Sequence, residues 1–222
     1  MSAEGAALCY RTVCVEGSEI LGRHAHPEVS MHTFPMSAYM RNVDTEGWAD
    51  AAELLLASAN KLVASGAEIL ISPDNTIHEA LDLVRDRAPA RWLHIAEEVG
   101  AVAAERGFKR LGILGTRYLM EGPVYRTKLA ARSIASEIPG PEARERINSI
   151  IFDELVYGRF HQRDRDYLSG AIRDLAARGC DAVVLGCTEI PLIISDADSV
   201  LPTLPSTQIL ARAALREATR SA

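Results

Sequence analysis

The chain has 222 residues, of which 48% are hydrophobic and 24% are charged, and its formal net charge is −6. This composition supports one large folded domain or two small ones, excludes wholesale disorder, and offers no basic footprint for nucleic acid and no apolar run of about 18 residues for a membrane span. Four cysteines without a CxxC pair, and an N-terminus without a signal-peptide pattern, predict a soluble protein of the reducing cytoplasm.

Strand and helix signals alternate along the chain. Short apolar or β-branched runs predict strands at Leu8–Val15, Glu28–Phe34, Glu68–Ser72, Arg110–Leu114, Asn148–Phe152 and Asp181–Gly186. Apolar residues at helical spacing predict helices at Glu46–Ser65, Asn75–Arg85, His94–Arg106, Pro123–Glu137, Arg165–Arg178 and Ser206–Arg220. This alternation favours an α/β fold of parallel sheets with helical crossovers.

Two segments repeat one pattern at a constant offset. GAEILISPDNT begins at Gly66 and GCDAVVLGCTE begins at Gly179, and each reads glycine, small residue, acid, apolar strand and then a polar turn. In this register Asp74 matches Cys187. Ligands of open α/β sheets bind at the carboxyl ends of strands. If the two units face each other, Asp74 and Cys187 therefore approach one site from opposite sides.

Cys187 lies in the second of these turns, where a helix is expected to begin. A helix N-terminus stabilises negative charge and would lower the pKa of the thiol. Thr188 and Glu189 add a hydrogen-bond donor and a carboxylate beside it. A buried, inert cysteine is the alternative. A strand-end turn between glycine and Thr-Glu is an unusual place for simple packing, so we predict that Cys187 is catalytic.

The first turn is a dense polar cluster. Asp74, Asn75 and Thr76 follow a predicted strand directly, and their side chains and backbone N–H groups suit a carboxylate ligand. An ordinary helix N-cap is the alternative reading of Asp and Asn here, but the repeat favours a binding or catalytic role. His78 lies one helical turn after Asp74 and could either hydrogen-bond into the site or pack elsewhere.

Cofactor signals are absent from the sequence. There is no GxGxxG and no GxxxxGK[ST], so the usual nucleotide cradles are missing. The three lysines, Lys61, Lys109 and Lys128, lie within predicted helices or at the foot of a strand, whereas a pyridoxal phosphate Schiff base would need a lysine in a strand-end turn. His24 and His26 lack further ligands at metal-binding spacing. We therefore predict an enzyme without cofactor or metal.

A thiol at one strand-end turn and a polar partner at the matching turn form a pattern that resembles the aspartate/glutamate racemase family. The resemblance runs from about Pro27 to the C-terminus. The matching segments are WADAAELLLASANKLVASGAEILISPDNTIH, LGILGTRYLMEGPVYRTKL, INSIIFDELVYG and GCDAVVLGCTEIPLII.

This resemblance implies a fold and a set of site residues. The fold would be two pseudo-symmetric α/β lobes, residues 1–95 plus 204–222 and residues 96–203, with the active site in the cleft and a homodimer as the assembly. The activity would be racemisation of an acidic amino acid, aspartate, glutamate or a close relative, without pyridoxal phosphate. The positions that would hold the substrate carboxylate are Asn75, Thr76, Thr116 and Thr188, with Arg41 and Arg159 near the distal carboxylate. His78 and Glu189, beside the two turns, are predicted as further substrate-binding residues.

The sequence departs from the family pattern at two places. Asp74 stands where family members carry a first cysteine, and YRTVCVEGSE replaces a glycine-rich N-terminal turn. Reference pKa values of Asp and Cys differ by about 4.6 units, or about 6 kcal/mol, so proton exchange between them requires a raised carboxyl pKa and a lowered thiol pKa. Three hypotheses follow: a racemase or epimerase, a one-thiol decarboxylase or isomerase, and a non-catalytic binding relative.

Overall fold

The computed structural model describes residues 3–45 and 47–220 and has the α/β fold that the sequence predicts. Two parallel sheets, flanked by helices, form the two lobes. The first lobe contains a two-stranded sheet, and the second contains a four-stranded sheet of order β4-β3-β5-β6. The strands are β1 (Ile69–Leu70), β2 (Arg91–Trp92), β3 (Arg110–Leu114), β4 (Ala135–Glu137), β5 (Ala182–Leu185) and β6 (Thr203–Pro205).

Ten α-helices are found in the described residues. They are α1 (Ala3–Leu21), α2 (Met36–Asp44), α3 (Trp48–Ala64), α4 (His78–Val84), α5 (Ile95–Glu105), α6 (Arg117–Glu121), α7 (Val124–Ala130), α8 (Pro141–Ser149), α9 (Gln162–Ala177) and α10 (Ser206–Thr219). A π-helical turn (Ile150–Glu154) follows α8, and a 3-10 turn (Ile190–Leu192) follows the loop after β5. Within 3–45 and 47–220, no helix has both the length and the apolar character to cross a membrane.

The larger sheet is buried on both faces. Val183 and Leu185 of β5 pack with Leu175 of α9 on one side, and Val184 packs with Leu129 of α7 on the other. This is why β5 reads as an unbroken apolar run. In the first lobe, α10 returns to the small sheet, where its apolar face packs against residues 69, 71, 93 and 95. The return of α10 agrees with the expected course of the chain, while the lobe boundaries themselves stay a prediction.

Most predicted helices and three predicted strands are confirmed within a few residues. Strand β3 has the predicted bounds, and β1 and β5 lie inside the predicted Glu68–Ser72 and Asp181–Gly186. Helices α4, α5, α9 and α10 overlap their predictions closely. The predicted Glu46–Ser65 corresponds to α3, although its first residue lies outside the described part of the chain.

The predicted strand Leu8–Val15 is wrong, because this segment lies inside α1. The buried residues of α1 recur at helical spacing: Gly5, Cys9, Val13 and Gly17 each follow the previous one by four positions. Cys9 and Val13 pack against Ala211 of α10. The local run of β-branched residues is therefore overridden by packing between two helices.

The predicted strand Glu28–Phe34 is also wrong. The segment is part of a stretch without regular secondary structure, and its backbone pairs with no strand among the described residues. Residues 27–30 and residues 65–71 line one open groove, and β1 pairs with β2 instead of with this segment. A strand needs a neighbouring strand about 4.8 Å away. The local sequence pattern of Glu28–Phe34 could not show that this neighbour is missing.

Two further boundaries need correction. The predicted strand Asn148–Phe152 is the end of α8 and the π-helical turn, where Ile147, Ile150 and Ile151 are buried at helical spacing. The predicted helix Pro123–Glu137 ends early, because Ser133 adopts a positive φ of 58° and the chain then forms β4, which pairs with β3. The sequence could not show that a strand position beside β3 was open to this segment.

Candidate active site

The turns after β1 and β5 meet at one cleft. Asp74 and Cys187, the two residues matched by the repeat, both line it. The other predicted residues that line it are Asn75, Thr76, Thr116, Thr188 and Glu189. The cleft lies at the carboxyl ends of parallel strands, where α/β folds present their loops to ligands.

Cys187 is buried, with 7% of its surface exposed, and its thiol donates a hydrogen bond to Glu189 Oε2 at 2.9 Å. Thr188 Oγ1 donates to the same oxygen at 2.7 Å. Burial raises the pKa of the Cys187 thiol well above its ordinary value, and the nearby Glu189 and Asp74 charges raise it further. The expected lowering of this pKa by a helix N-terminus is wrong, because only the three-residue 3-10 turn Ile190–Leu192 follows.

Asp74 faces the cleft from the opposite turn. Its Oδ1 accepts a hydrogen bond from the backbone N–H of Ile77 at 3.2 Å, which fixes the turn that precedes α4. Burial raises the pKa of the Asp74 carboxyl above its ordinary value, although this hydrogen bond opposes the shift. The carboxylate is thus a stronger base than an exposed aspartate, as the acid/base hypothesis requires.

Three polar residues of the cleft form hydrogen bonds between the two lobes. Asn75 is held on both sides, because its Nδ2 donates to Ser206 Oγ at 3.0 Å and its Oδ1 accepts from Tyr125 Oη at 2.7 Å. Thr76 Oγ1 and Thr116 Oγ1 lie 3.0 Å apart in a hydrogen bond that joins the first-lobe turn to α6. Their hydroxyl groups line the cleft and can turn toward a bound carboxylate.

Helix α1 packs directly against Thr188, in the turn that also contains Cys187. A Cβ atom added to Gly5 would lie 2.2 Å from the Cβ of Thr188, so only glycine permits this approach. The sequence analysis did not predict this contact, because it placed a strand at Leu8–Val15 and no helix around Gly5. Thr188 is therefore positioned from two sides, by α1 and by its hydrogen bond to Glu189.

Three predicted site residues lie away from the cleft lining. His78 is fully buried beneath the first turn, where its Nε2 lies 2.8 Å from the carbonyl oxygen of Ser72. Arg41 is exposed on α2. Arg159 is exposed as well and lies over the ring of Tyr157, 5.4 Å from its centroid. The structure therefore does not bring either arginine to the position of a distal carboxylate.

The sequence analysis missed the apolar wall of the cleft. Its members are Met36, Tyr39, Met40 and Val43 of α2 together with Ile151, Phe152 and Val156 after α8. The four α2 residues follow the spacing i, i+3, i+4, i+7, which is the signal of one face of a helix and could have identified them. Among the lining residues that the structure describes, Asp74 and Glu189 are charged and no side chain is cationic.

One cluster outside the cleft has the residue types of a metal site. Glu154, His161 and Asp164 bring ligand atoms within 4.8 Å of one another. Arginines already surround these carboxylates: Arg163 lies 2.9 Å from Glu154 and 3.7 Å from Asp164, and Arg146 lies 3.6 Å from Asp164. Positive neighbours oppose the binding of a cation, so we assign no metal to this cluster.

Comparison with known families agrees with the geometry of the cleft. A model of the Asp/Glu/hydantoin racemase family matches residues 10–214. The chain belongs to the Asp/Glu/hydantoin racemase family. The matched range includes both turns of the cleft and all of the second lobe sheet.

Solved structures of the Asp/Glu/hydantoin racemase kind superpose on nearly the whole chain. A Yersinia pestis protein provisionally assigned as an Asp/Glu racemase is 30% identical with a TM-score of 0.88, and an aspartate racemase homologue from Pyrococcus horikoshii OT3 is 25% identical with a TM-score of 0.84. In each case 97% of this chain and 94% of the other chain are covered. Arylmalonate decarboxylase, at 15% identity and a TM-score of 0.51 over 79% of each chain, shares the fold.

Proposed function

We propose that this chain is a racemase or epimerase of an α-amino acid that moves the α-proton between Asp74 and Cys187 without pyridoxal phosphate or metal. The observation that carries the proposal is that these two residues, from matching turns of the two lobes, line one cleft. Family membership supports the reaction class. The resemblance points to an acidic substrate.

The reaction divides between a base and an acid. In the resting enzyme Asp74 is the carboxylate and Cys187 is the thiol. Asp74 takes the α-proton as the Cα–H bond breaks, and the electron pair spreads into the substrate carboxylate, which Thr76, Thr116 and Thr188 can hydrogen-bond. The Cys187 S–H then delivers its proton to the other face of Cα, and the reverse reaction exchanges the two roles.

The structure leaves the two proton states unequal in the empty cleft. Burial raises the pKa values of both Asp74 and Cys187. The shift at Asp74 narrows the difference between the two pKa values, but the shift at Cys187 widens it, whereas the sequence analysis required the Cys187 pKa to fall. The bound amino acid itself changes this balance. Its ammonium group lies in a cleft with two carboxylates, and a positive charge near Cys187 lowers the pKa of the thiol.

A one-thiol decarboxylase is the second candidate function, and the apolar wall favours it. In that reaction Cys187 only protonates a carbanion that forms when the substrate loses carbon dioxide. Asp74 would then bind substrate and take no proton. Release of carbon dioxide from an α-aryl or α-alkyl malonate, without α-hydrogen exchange into amino acids, would identify this activity.

The deciding experiment is α-hydrogen exchange in deuterated water with separate L- and D-amino acids. Wild-type enzyme, after dialysis against a chelator, should exchange and interconvert both enantiomers. Cys187→Ser should stop interconversion but keep exchange in one enantiomer, because Asp74 still rests as a base. Asp74→Asn should lower exchange in that enantiomer by orders of magnitude. Cys180→Ser, a buried thiol outside the cleft, is the matched control and should behave as wild type.

Other outcomes would contradict the two-base proposal. If Asp74→Asn raises KM and leaves kcat nearly unchanged, Asp74 binds substrate and does not transfer a proton. If the chelated enzyme loses activity and regains it with metal, the metal-free proposal is wrong. We also propose a homodimer in the cytoplasm, and light scattering of the purified chain tests the assembly.

A further inference from the structure

We infer that the amino acid bound in this cleft carries an uncharged, apolar side chain. The inference rests on the proposed function, since it assumes that an amino acid binds with its α-carbon between Asp74 and Cys187. It departs from the acidic substrate that the family resemblance implies. The observation that supports the inference is that the cleft has a polar end and an apolar wall.

The polar end already matches the groups that every amino acid has. Asp74 and Glu189 supply negative charge for the ammonium group, and the hydroxyls of Thr76, Thr116 and Thr188 can donate to the α-carboxylate. These residues come from the strand-end turns and from the start of α6. The side chain of the substrate must therefore extend toward the remaining part of the lining.

That remaining part is formed mainly by two hydrophobic segments, together with the rings of Tyr39 and Tyr118. Helix α2 contributes Met36, Met40 and Val43, and the π-helical turn contributes Ile151 and Phe152. Methionine side chains adapt to irregular apolar ligands. Each methylene group of a substrate that is buried against such a wall favours binding by about fourfold.

The described side chains that line the cleft offer no counter-charge to a second carboxylate. No cationic side chain occurs among the described residues that line the cleft. Arg41 lies on the exposed face of α2, and Arg159 is exposed and stacked on Tyr157. A dicarboxylate would thus add a net negative charge to a cleft that already holds two carboxylates. Buried polar groups without partners change specificity by about 100-fold or more.

The test compares two classes of amino acid on the intact protein. Binding of leucine, methionine, phenylalanine, aspartate and glutamate is measured by calorimetry on Cys187→Ala, and α-hydrogen exchange is measured on the wild type. We expect the apolar amino acids to bind and to exchange at least about 100-fold better than aspartate and glutamate. Equal or better values for aspartate or glutamate would overturn the inference.

A second test places a positive charge on the apolar wall. Met40→Arg should raise kcat/KM for glutamate by at least about tenfold relative to leucine, because the new guanidinium can pair with the distal carboxylate. Ser37→Arg adds the same charge on the exposed side of α2 and should leave the preference unchanged. Arg41→Ala tests the competing arrangement: a selective loss of glutamate exchange would show that Arg41 reaches the substrate and would overturn the inference.

The outcomes separate this inference from the proposed function. Preferential binding of leucine or phenylalanine without any α-hydrogen exchange would retain the apolar site and reject the racemase. Efficient exchange of glutamate would retain the racemase and reject the apolar site. No binding of any of the five amino acids would reject both.

Discussion

Replacing Gly5 by alanine should displace Thr188 and disturb the turn that contains Cys187. Gly5 lies in α1, and an added Cβ would be 2.2, 2.4 and 2.6 Å from the three side-chain atoms of Thr188. Favourable carbon contacts need about 3.5–4.0 Å. Either α1 or Thr188 must therefore move by more than about 1 Å, and Thr188 is hydrogen-bonded to the carboxylate that holds the Cys187 thiol.

The expected magnitude combines two opposing effects. Overpacking of this kind costs about 1–3 kcal/mol. Alanine in a helix recovers about 0.5–1 kcal/mol relative to glycine. We expect a net loss of about 0–2.5 kcal/mol in the free energy of unfolding. A displacement of about 1 Å near the reacting groups lowers turnover by about 100-fold, so activity should fall more steeply than stability.

The assay pairs urea unfolding with the rate of α-hydrogen exchange. Gly170→Ala is the matched control, because the position lies in α9 and its nearest neighbour is Arg173 at 3.7 Å. That variant should gain about 0.5–1 kcal/mol and keep its activity. If Gly5→Ala is as stable and as active as Gly170→Ala, then α1 does not pack on the catalytic turn and the reasoning is refuted.

The remaining predictions concern ionisation. Alkylation of Cys187 by iodoacetamide, followed by peptide mass spectrometry, should be slow at pH 7 and rise about tenfold per pH unit to pH 9, because the thiol pKa is raised. Glu189→Gln should accelerate it by removing a neighbouring charge, and a plateau below pH 8 would contradict this. Burial lowers the pKa of His78 to about 3 and of His94 to about 4 from an ordinary value of 6.5. The unfolded chain therefore takes up protons first, and stability should fall as pH drops below about 6.5, by about 1.4 kcal/mol per pH unit for each histidine. Urea unfolding between pH 7.5 and 5.5 measures this slope. His24→Ala, at an exposed position, should leave it unchanged, and a flat profile would show that the buried pair is protonated in the folded state.

The two strand-end turns were predictable because the repeat encodes them locally. A glycine, an apolar strand and a polar cluster occur in register at Asp74 and Cys187, and the end of a buried parallel strand is a ligand-binding position in any α/β sheet. The directions of neighbouring side chains were not predictable in this way. Arg41 is near the cleft in sequence, but the helical spacing of α2 turns Met40 inward and leaves Arg41 exposed.

Other errors arose from interactions that connect distant parts of the chain. The β-branched run at Leu8–Val15 forms a helix because Cys9 and Val13 pack on α10, about 200 positions later in the sequence. The pKa of Cys187 could not be read from its turn, since the shift comes from burial and from the orientation of Glu189. Local patterns therefore located the candidate site, while its electrostatics required the packed structure.

Two features of the cleft determine its charge balance: it contains two carboxylates, and its described lining contains no cationic side chain. Asp74 adds a negative charge to a cleft that also contains Glu189. A substrate with one ammonium and one carboxylate carries no net charge and can place its ammonium between these groups. A dicarboxylate would leave one negative charge without a partner in a buried setting, which is costly. The carboxylate of Asp74 and the absence of cations from the described lining therefore both favour a neutral amino acid. It follows that Asp74→Cys, which removes one negative charge, should weaken the discrimination against glutamate even if Met40 and the rest of the apolar wall are unchanged. Measuring the leucine-to-glutamate ratio of binding constants in this variant tests the coupling, and a ratio identical to that of the parent would show that the apolar wall acts alone.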